Sequence, residues 1–395
     1  MKDLTDLKTF IIDSENPHEV DDAISIELGQ NNRNYIWIHI SNPCRLFKYE
    51  SDEDKKARNN CSSLYLVDKY IPMLSEEIIE IANLKQNKVS ATISACIELD
   101  DKGSIKNYEI TEALIKPNYE ITYEDTNEIL DLEPKEEYEL ILLNNLLKKS
   151  FNHRKSKGAL SFDIPYSKIL FKDNNISIEK VFKTEAHQLV SEAMILMGCV
   201  ISDYLNNRNI PVPFRVQKIN CDAKDILERN SNSLIKYSIL KQYIGKSYLS
   251  LKANRHETLA LNSYVQATSP LRRYLDLIVQ RQLYFSLNNK KTLSEDLINQ
   301  TIEDMKLKQH ELNNIIKENR LLFLRRFFDL NNNKYHRIIF IRWVNNKKNI
   351  ALVYFPDLYL ETLINLYISI DTYINKPYKV KYNKNENSNL LEFIN

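Results

Sequence analysis

The chain has 395 residues, with 54 Lys and Arg against 53 Asp and Glu, so its formal net charge is only +1. This balance excludes a protein-wide positive field, and any binding of nucleic acid would depend on local basic groups. The five cysteines are odd in number and show no CxxC spacing, which argues against a disulfide framework or a zinc site. We find no signal-peptide pattern and expect no segment that spans a membrane.

A run of carboxylates follows the first predicted strand. Phe10–Ile12 predicts a buried strand that ends at Asp13, and Ala23–Ile26 predicts the next strand after a turn at Asn16-Pro17. Four of the five acids in this segment, Asp13, Glu19, Asp21 and Asp22, are the candidate metal ligands. Clustered carboxylates are costly unless a cation lies among them, and Mg²⁺ is the usual cation when the substrate carries phosphate. A Ca²⁺-stabilised loop and a solvated acidic turn fit the same spacing.

The next part of the chain alternates strands with helices. Residues 7–125 read as short strands and turns, with Tyr35–Ile40 and Ala91–Ile97 the clearest strands. The apolar spacing of residues 134–155 and 186–205 predicts two amphipathic helices. Neither an internal repeat nor a low-complexity linker is found.

A second motif, ATSPLRRYLDLIVQR, begins at residue 267. Thr268 or Ser269 predicts a helix cap, followed by proline at the first helical position. Arg272 and Arg273 would then lie in the first turn, where the helix dipole disfavours cations unless an anion binds there. For one of the two arginines, the alternative is an ion pair with Asp276 at helical spacing. An acidic cluster with an arginine clamp describes phosphoryl-transfer chemistry.

The C-terminal region predicts a small β-barrel. Residues 293–329 read as one or two long charged helices, and the composition changes after Asn331–Lys334. Short strands follow at 337–343, 350–355, 358–363, 378–382 and 391–393. Several short strands in so few residues suggest a barrel of the OB type, and the whole chain is then of the mixed α+β class.

Both motifs resemble hallmarks of the ribonuclease II (RNB) family of exoribonucleases. Asp13-x5-Glu19-x-Asp21-Asp22 is similar to one signature and TSPLRRYLDLIVQR to the other, and weaker matches run in family order over residues 5–330. The resemblance implies processive 3′→5′ hydrolysis of single-stranded RNA to nucleoside 5′-monophosphates, with Mg²⁺ or Mn²⁺ as cofactor. It implies an RNB catalytic domain over residues 1–332 and an S1-like OB-fold RNA-binding domain over residues 333–395.

The resemblance also implies roles for the two motifs. The four acids would bind metal, and Asp21 would be the most critical of them. Arg272 would stabilise charge on the scissile phosphate, with Arg273 on the next phosphate or paired with Asp276. Glu19 departs from the family pattern, which commonly has aspartate there, so we expect activity to survive with an altered metal preference.

The resemblance predicts four RNA contacts, which are Tyr65, Tyr123, Phe162 and Glu192. Tyr123 and Glu192 would meet the terminal riboses, while Tyr65 and Phe162 would clamp bases. Tyr65 and Phe162 each have the alternative of a core position, and Glu192, on an apolar helix face, has the alternative of an ion pair with a local Lys or Arg. Asn42 and Gln280 stand where the family often has Asp and His, and we expect them to be structural.

The predicted barrel interleaves lysines with tyrosines, which favours RNA binding: Lys347, Lys348, Lys376, Lys379 and Lys381 with Tyr354, Tyr359, Tyr378 and Tyr382. The alternative is a β subdomain that only packs on the core. The family's N-terminal cold-shock domains have no room before residue 10, so we expect a weaker grip on long RNA and steeper salt dependence.

Two rival functions remain open on the sequence alone. One is a catalytically weak RNA-binding or regulatory relative, and the other is a metal-dependent phosphatase acting on small molecules. The expected partner is single-stranded RNA, and we expect a monomer without a membrane or disulfide partner. Abundant Asn, Lys, Ile and Tyr suggest an AT-rich genome. The expected location is the cytoplasm, or an organelle interior such as the plastid stroma if the gene is organellar.

Overall fold

The computed structural model describes residues 1–29, 33–161, 165–219, 238, 240–367, 377–385 and 388–394. It has the predicted mixed α+β architecture, in which a large N-terminal part precedes a β-barrel. The strands before the barrel are β1 (Lys2–Asp3), β2 (Thr9–Asp13), β3 (Asp22–Leu28), β4 (Asn34–Ser41), β5 (Leu64–Tyr65), β6 (Tyr70–Ile71), β7 (Ser90–Leu99), β8 (Ile105–Ile115), β9 (Tyr119–Thr122), β10 (Tyr166–Lys172), β11 (Asn175–Val181), β12 (Phe214–Val216) and β13 (Tyr248–Ser250). The helices are α1 (Asp52–Asn60), α2 (Glu76–Ala82), α3 (Tyr123–Leu132), α4 (Tyr138–Ser156), α5 (Glu185–Asn207), α6 (Tyr274–Leu287) and α7 (Glu295–Leu330).

A seven-stranded sheet in the order β1-β8-β7-β4-β3-β2-β9 forms the base of the N-terminal part. Strand β3 runs antiparallel to β2, whereas β9 runs parallel to β2, with Asp13 paired to Thr122. The end of β2, the start of β3 and the end of β9 therefore lie at the same edge of the sheet. This edge carries Asp13, Asp22 and Tyr123.

The two faces of the sheet have different surroundings. Alternate apolar residues of β3 and β4, such as Ile24 and Ile38, join one buried cluster with residues of α4 and α5. On the other face, His39 lies between Ser25 and Ser94, whose hydroxyl oxygens are each 2.8 Å from a ring nitrogen. Burial lowers the pKa of His39 to about 3, so this histidine is a neutral structural group.

A buried ion pair fixes α6 against α1. The Arg281 guanidinium and the Asp54 carboxylate are both essentially inaccessible to solvent and lie 3.2 Å apart, between Nη2 and Oδ1. Removing one partner of such a pair would leave an uncompensated buried charge. The pair therefore fixes the position of α6, which directly follows the two arginines of the second motif.

The C-terminal barrel is closed, in the strand order β14-β15-β16-β18-β17. Its strands are β14 (Tyr335–Asn345), β15 (Ile350–Phe355), β16 (Leu360–Tyr367), β17 (Pro377–Asn383) and β18 (Leu391–Ile394). All five predicted strands are confirmed, and the closed five-stranded barrel is consistent with an OB-like fold. The end of α7 completes the barrel core, because the buried ring of Phe328 lies 5.2 Å from that of Phe393 and 5.6 Å from that of Phe355.

Two barrel tyrosines that the sequence assigned to RNA are buried instead. Tyr354 is 2% exposed and Tyr382 is 7% exposed, and both belong to apolar clusters of the barrel. The prediction of RNA contacts at these two positions is wrong, because neither ring is accessible. Tyr382 belongs to the barrel core, whereas Tyr354 lies on the opposite face of its strand from the core residues Val353 and Phe355 and packs with Ile339 and Ile341. Lys376 lies outside the described residues.

Helix α5 runs through the core beside the edge of the sheet that carries Asp13, Asp22 and Tyr123. By length and composition alone this helix could cross a membrane. The prediction that no segment is long and apolar enough to do so is therefore wrong. In this structure 56% of the apolar stretch is buried inside the protein, as in a core helix. Its Gly198 allows a close approach, because a Cβ there would lie 2.4 Å from the Tyr264 ring and from the Val265 carbonyl oxygen. The absence of a side chain thus places the 264–265 segment directly against α5.

The packing of α7 into the barrel gives a stability prediction. We expect Phe328→Ala to lower the free energy of unfolding by roughly 3–5 kcal/mol, because it empties a fully enclosed ring site. The control is Phe327→Ala, which truncates the neighbouring, only partly buried ring. Urea unfolding of both variants measures the difference, and equal losses would contradict the assignment of Phe328 as the ring that joins helix and barrel.

Candidate active site

The acidic segment delivers two carboxylates to one cavity. Asp13 ends β2 and Asp22 begins β3, and both line a cavity of about 330 Å³ together with Tyr123 and Arg272. Burial raises the pKa of Asp13. Burial, together with the neighbouring Asp13 carboxylate, raises the pKa of Asp22 to about 7. Two acids that both resist ionisation in one cavity are the arrangement that a bound cation relieves.

Asp21 is the most enclosed acid of the segment. Its side chain is 1% exposed, and Oδ1 accepts a hydrogen bond of 2.9 Å from the Leu271 backbone N–H. Oδ2 lies 3.4 Å from Arg272 Nε, but among the described residues it has no hydrogen-bond partner. Burial raises the pKa of Asp21 to about 8, although Arg272 and the Leu271 N–H oppose the rise. Asp21 is thus a buried acceptor that is only half satisfied.

The second motif does not begin its helix where the sequence predicted. Helix α6 starts at Tyr274, so both arginines precede it instead of lying in its first turn. The reason is that backbone groups of this segment bind elsewhere: the Leu271 N–H binds Asp21, the Tyr274 N–H donates to the Cys61 carbonyl, and the Ser63 N–H donates to the Arg272 carbonyl. Tertiary hydrogen bonds therefore replace the capped helical turn that local preference favours.

The two arginines have different surroundings. Arg272 is 46% exposed and presents its guanidinium beside Asp21 at the cavity. Arg273 donates from Nη2 to Asp276 Oδ2 at 2.6 Å and to Ser269 Oγ at 3.1 Å. Asp276 is itself buried and also accepts the Ser269 backbone N–H. The Asp276 pair that the sequence left open for one arginine is thus formed by Arg273, and Arg272 is the arginine available to a phosphate.

Glu19 binds hydroxyl groups and does not line the cavity with Asp13 and Asp22, although its charge still acts on Asp21 and Arg272. Its Oε1 accepts a 2.6 Å hydrogen bond from Ser63, and its Oε2 accepts one from the Tyr65 hydroxyl. The structure therefore does not bring Glu19 into a common group with Asp13 and Asp22. The extra methylene relative to aspartate lets the carboxylate reach these donors.

The donor groups at the cavity fit a divalent metal that takes few of its ligands from the protein. Within the described part of the chain, no three His, Cys, Asp or Glu side chains converge closely enough to hold a metal by themselves. Mg²⁺ is commonly held by one or two carboxylates, with water and substrate phosphate completing its six ligands. Asp13 and Asp22 at the cavity and the unpartnered Oδ2 of Asp21 fit that mode, whereas the predicted set of four protein ligands is not assembled.

The structure places the predicted RNA-contact residues in different surroundings. Tyr123 lines the cavity, and its ring stacks on His187 with centroids 3.9 Å apart. Tyr65 is 45% exposed, which suits a base-stacking surface, and it also binds Glu19. Phe162 lies outside the described residues.

Glu192 is not at the cavity. It is 1% exposed, and its carboxylate accepts hydrogen bonds from Arg154 through Nε at 3.0 Å and also through Nη2, and from Ser150 Oγ at 2.7 Å. The structure thus favours the alternative of a buried ion pair over the predicted ribose contact. The helix face of α5 that lines the cavity carries the neighbouring Ser191 instead.

Sequence reasoning missed several polar residues of the cavity wall, which are Ser191, Tyr264, Gln266, Thr268 and Ser269. Helical spacing could have found Ser191, which lies between cavity-lining positions 190 and 194 on α5. Asn42 and Gln280 have structural partners, as expected: Asn42 Nδ2 donates to Glu112 and Gln280 Nε2 donates to the Ser41 carbonyl.

Residues 1–289 match the family model described as the RNB domain. The chain belongs to the RNB-domain family. It is 30% identical over 363 residues to an uncharacterized ribonuclease of Synechocystis, covering 91% of this chain and 54% of that protein. It is 32% identical over 289 residues to the chloroplastic/mitochondrial ribonuclease II of Arabidopsis thaliana, covering 71% of this chain and 36% of that protein. The chain therefore spans about half the length of the first relative and about a third of the second.

Solved structures share the fold of this RNB-domain chain. The Dss1 exoribonuclease active-site mutant of Candida glabrata superposes with a TM-score of 0.89 at 22% identity, over 100% of this chain and 55% of that chain. Mycoplasma genitalium RNase R in complex with ribose-methylated single-stranded RNA gives 0.86 at 18% identity, over 96% and 69%. Yeast Ssd1, described as a pseudonuclease, gives 0.73 at 16% identity, over 92% and 50%.

The raised pKa of Asp21 predicts how stability depends on pH when metal is removed. A neutral Asp21 stabilises the fold, and this contribution is lost as the pH rises from the unfolded-state value near 4 through about 8. In EDTA, Asp21→Asn should therefore raise the free energy of unfolding more at pH 8 than at pH 5, by roughly 3–4 kcal/mol, because the loss in the wild type grows by about 1.4 kcal/mol per pH unit between the two pKa values. Urea unfolding at both pH values measures it.

The control for this measurement is Asp6→Asn, which neutralises an exposed acid and should shift stability little at either pH. Mg²⁺ should stabilise the wild type and not the Asp21→Asn variant. A gain for Asp21→Asn that is the same at pH 5 and pH 8 would contradict the account of Asp21 as a buried, uncompensated acid.

Proposed function

We propose that this RNB-domain chain hydrolyses single-stranded RNA from the 3′ end and releases nucleoside 5′-monophosphates, with Mg²⁺ as cofactor and Mn²⁺ as a substitute. The observation that carries the proposal is the cavity that joins Asp13 and Asp22 to the accessible guanidinium of Arg272. The names of the ribonuclease relatives and the RNA-bound state of the RNase R structure support it.

The proposed chemistry assigns different tasks to the acids and to the arginine. One or two of the Asp13, Asp22 and Asp21 carboxylates would hold the metal together with water and substrate phosphate. When bound, the metal would supply an activated water and neutralise charge on the phosphate. Arg272 would donate to the scissile phosphate as its charge grows, because a guanidinium aimed at developing charge lowers the barrier most. Asp21, fixed by the Leu271 N–H, would orient Arg272 toward that phosphate.

Selection of RNA over DNA requires a group that meets the ribose. Tyr123 lies in the cavity with one ring face covered by His187, so it would present its other face or its hydroxyl to the terminal nucleotide. Ser191 and Thr268 also line the cavity and could exchange hydrogen bonds with a 2′-hydroxyl. Tyr65 would stack on a base farther from the metal site.

A second candidate function is an RNA-binding protein without cleavage. The orientation of Glu19 toward Ser63 and Tyr65 favours it, as does the likeness to a structure described as a pseudonuclease. Against it stand the buried acids Asp21 and Asp22, which cost stability and would bring a pure binder no benefit. Restoration of cleavage by Glu19→Asp in an inactive wild type would establish this alternative.

The proposal predicts a ladder of products on a denaturing gel. A 5′-labelled unstructured RNA with Mg²⁺ should shorten progressively from the 3′ end, and a DNA of the same sequence should stay intact. Asp21→Asn should abolish the ladder, and Arg272→Ala should slow it by roughly 10²–10³-fold, as loss of a donor to transition-state charge does.

The matched control is Arg273→Lys, which keeps a cation beside Asp276 and should slow the reaction far less than Arg272→Lys. Internal cuts, equal cleavage of DNA, or an unchanged ladder in Asp21→Asn would overturn the proposal. RNA that is bound on a native gel but left uncut by the wild type would favour the binding protein.

A further inference from the structure

A second cavity of about 450 Å³ lies behind the active-site arginines. Gln266 and Arg273 line both this cavity and the active-site cavity, so the two spaces lie back to back across these side chains. We call the second cavity the side chamber. Its charged wall residues are Arg215, Lys246, Arg273, Lys306 and Asp276, and His310 lies at its edge.

The wall of the side chamber has more positive than negative groups. Four of its side chains are Lys or Arg and one is an acid, Asp276, which already binds Arg273, while Lys306 pairs with Glu303 at 2.6 Å. Arg215 has neutral partners, because Nε donates to Gln266 Oε1 at 2.7 Å and Nη1 donates to Ser247 Oγ at 3.0 Å. Burial lowers the pKa of Arg215, which Asp276 offsets only in part. This wall therefore favours an anion.

The arginine between the two cavities has an unused donor. Nε of Arg273 is buried and, among the described residues, has no hydrogen-bond partner, although its Nη2 is held by Asp276 and Ser269. Arg272 reaches the active-site cavity, Arg273 lies between the cavities, and Arg215 lines the side chamber, where it binds Gln266. Three guanidinium groups thus follow one another from the acids into the side chamber, a series suited to a phosphate.

We propose that the side chamber is the route by which the released nucleoside 5′-monophosphate leaves the active site. The inference rests on the proposed function, since RNA that still occupies its own path would block a mononucleotide from leaving that way. The phosphate of the product would pass from Arg272 to Arg273 and then to Arg215 and the lysines of the chamber wall. A space of this volume lies within the usual range for small-molecule sites.

The test changes two exposed lysines of the chamber wall that contact neither the acids nor Arg272. In the double variant Lys246→Glu/Lys306→Glu, single-turnover release of the first nucleotide from oligo(A) should match the wild type. Steady-state release at saturating RNA should fall roughly fivefold, so that a burst of one product per enzyme appears. The control Lys291→Glu makes the same charge change at an exposed position outside both cavities and should leave both rates unchanged.

A binding measurement gives a second readout that does not require cleavage. Isothermal titration of AMP into the protein with Mg²⁺ should show an affinity roughly fivefold weaker for the double variant than for Lys291→Glu. Wild-type steady-state release and AMP affinity in the double variant would overturn the side-chamber route. If the wild type itself releases no nucleotide from RNA, the proposed function fails, and the exit route fails with it.

Discussion

The burial of the Asp21 carboxylate holds the candidate site together. Through one hydrogen bond to the Leu271 N–H and one close contact to Arg272, this side chain joins two segments that lie 250 residues apart in the chain. Both segments have little regular structure of their own at this point, since one is a loop between strands and the other a turn before α6. The position of the arginine relative to the cavity thus depends on Asp21 more than on either local conformation.

The same burial is the physical argument for the proposed cation. A carboxylate removed from water resists ionisation unless positive charge is near, and Asp21, Asp22 and Asp13 all have raised pKa values for this reason. Arg272 offsets part of the cost at Asp21 but is half exposed and not hydrogen-bonded to it. The remaining free-energy cost of ionising these buried acids is the physical argument for a metal at this site. It couples protein stability, pH and metal binding through one group of side chains.

The sequence predicted the parts of this architecture that local patterns encode. Alternating apolar residues located the five barrel strands, and a strand end followed by acids located the edge of the sheet where Asp13 and Asp22 meet. Local sequence patterns could not predict the long-range contacts. The start of α6 was placed too early because Leu271 and Tyr274 donate to distant acceptors. Glu192 was assigned to RNA from the family resemblance, and its partner Arg154 lies on another helix, where local spacing does not reveal it. The sequence predicted that Glu192 is buried, but it did not predict that Arg154 is its partner.

The most direct test of the account is a crystal structure with Mn²⁺ and a non-hydrolysable phosphorothioate RNA, read by the anomalous scattering of the metal. The account predicts a Mn²⁺ peak in contact with Asp13 or Asp22 and with the free oxygen of Asp21, and a phosphate within hydrogen-bond distance of Arg272. Absence of metal from this cavity, or a scissile phosphate bound away from Arg272, would contradict it.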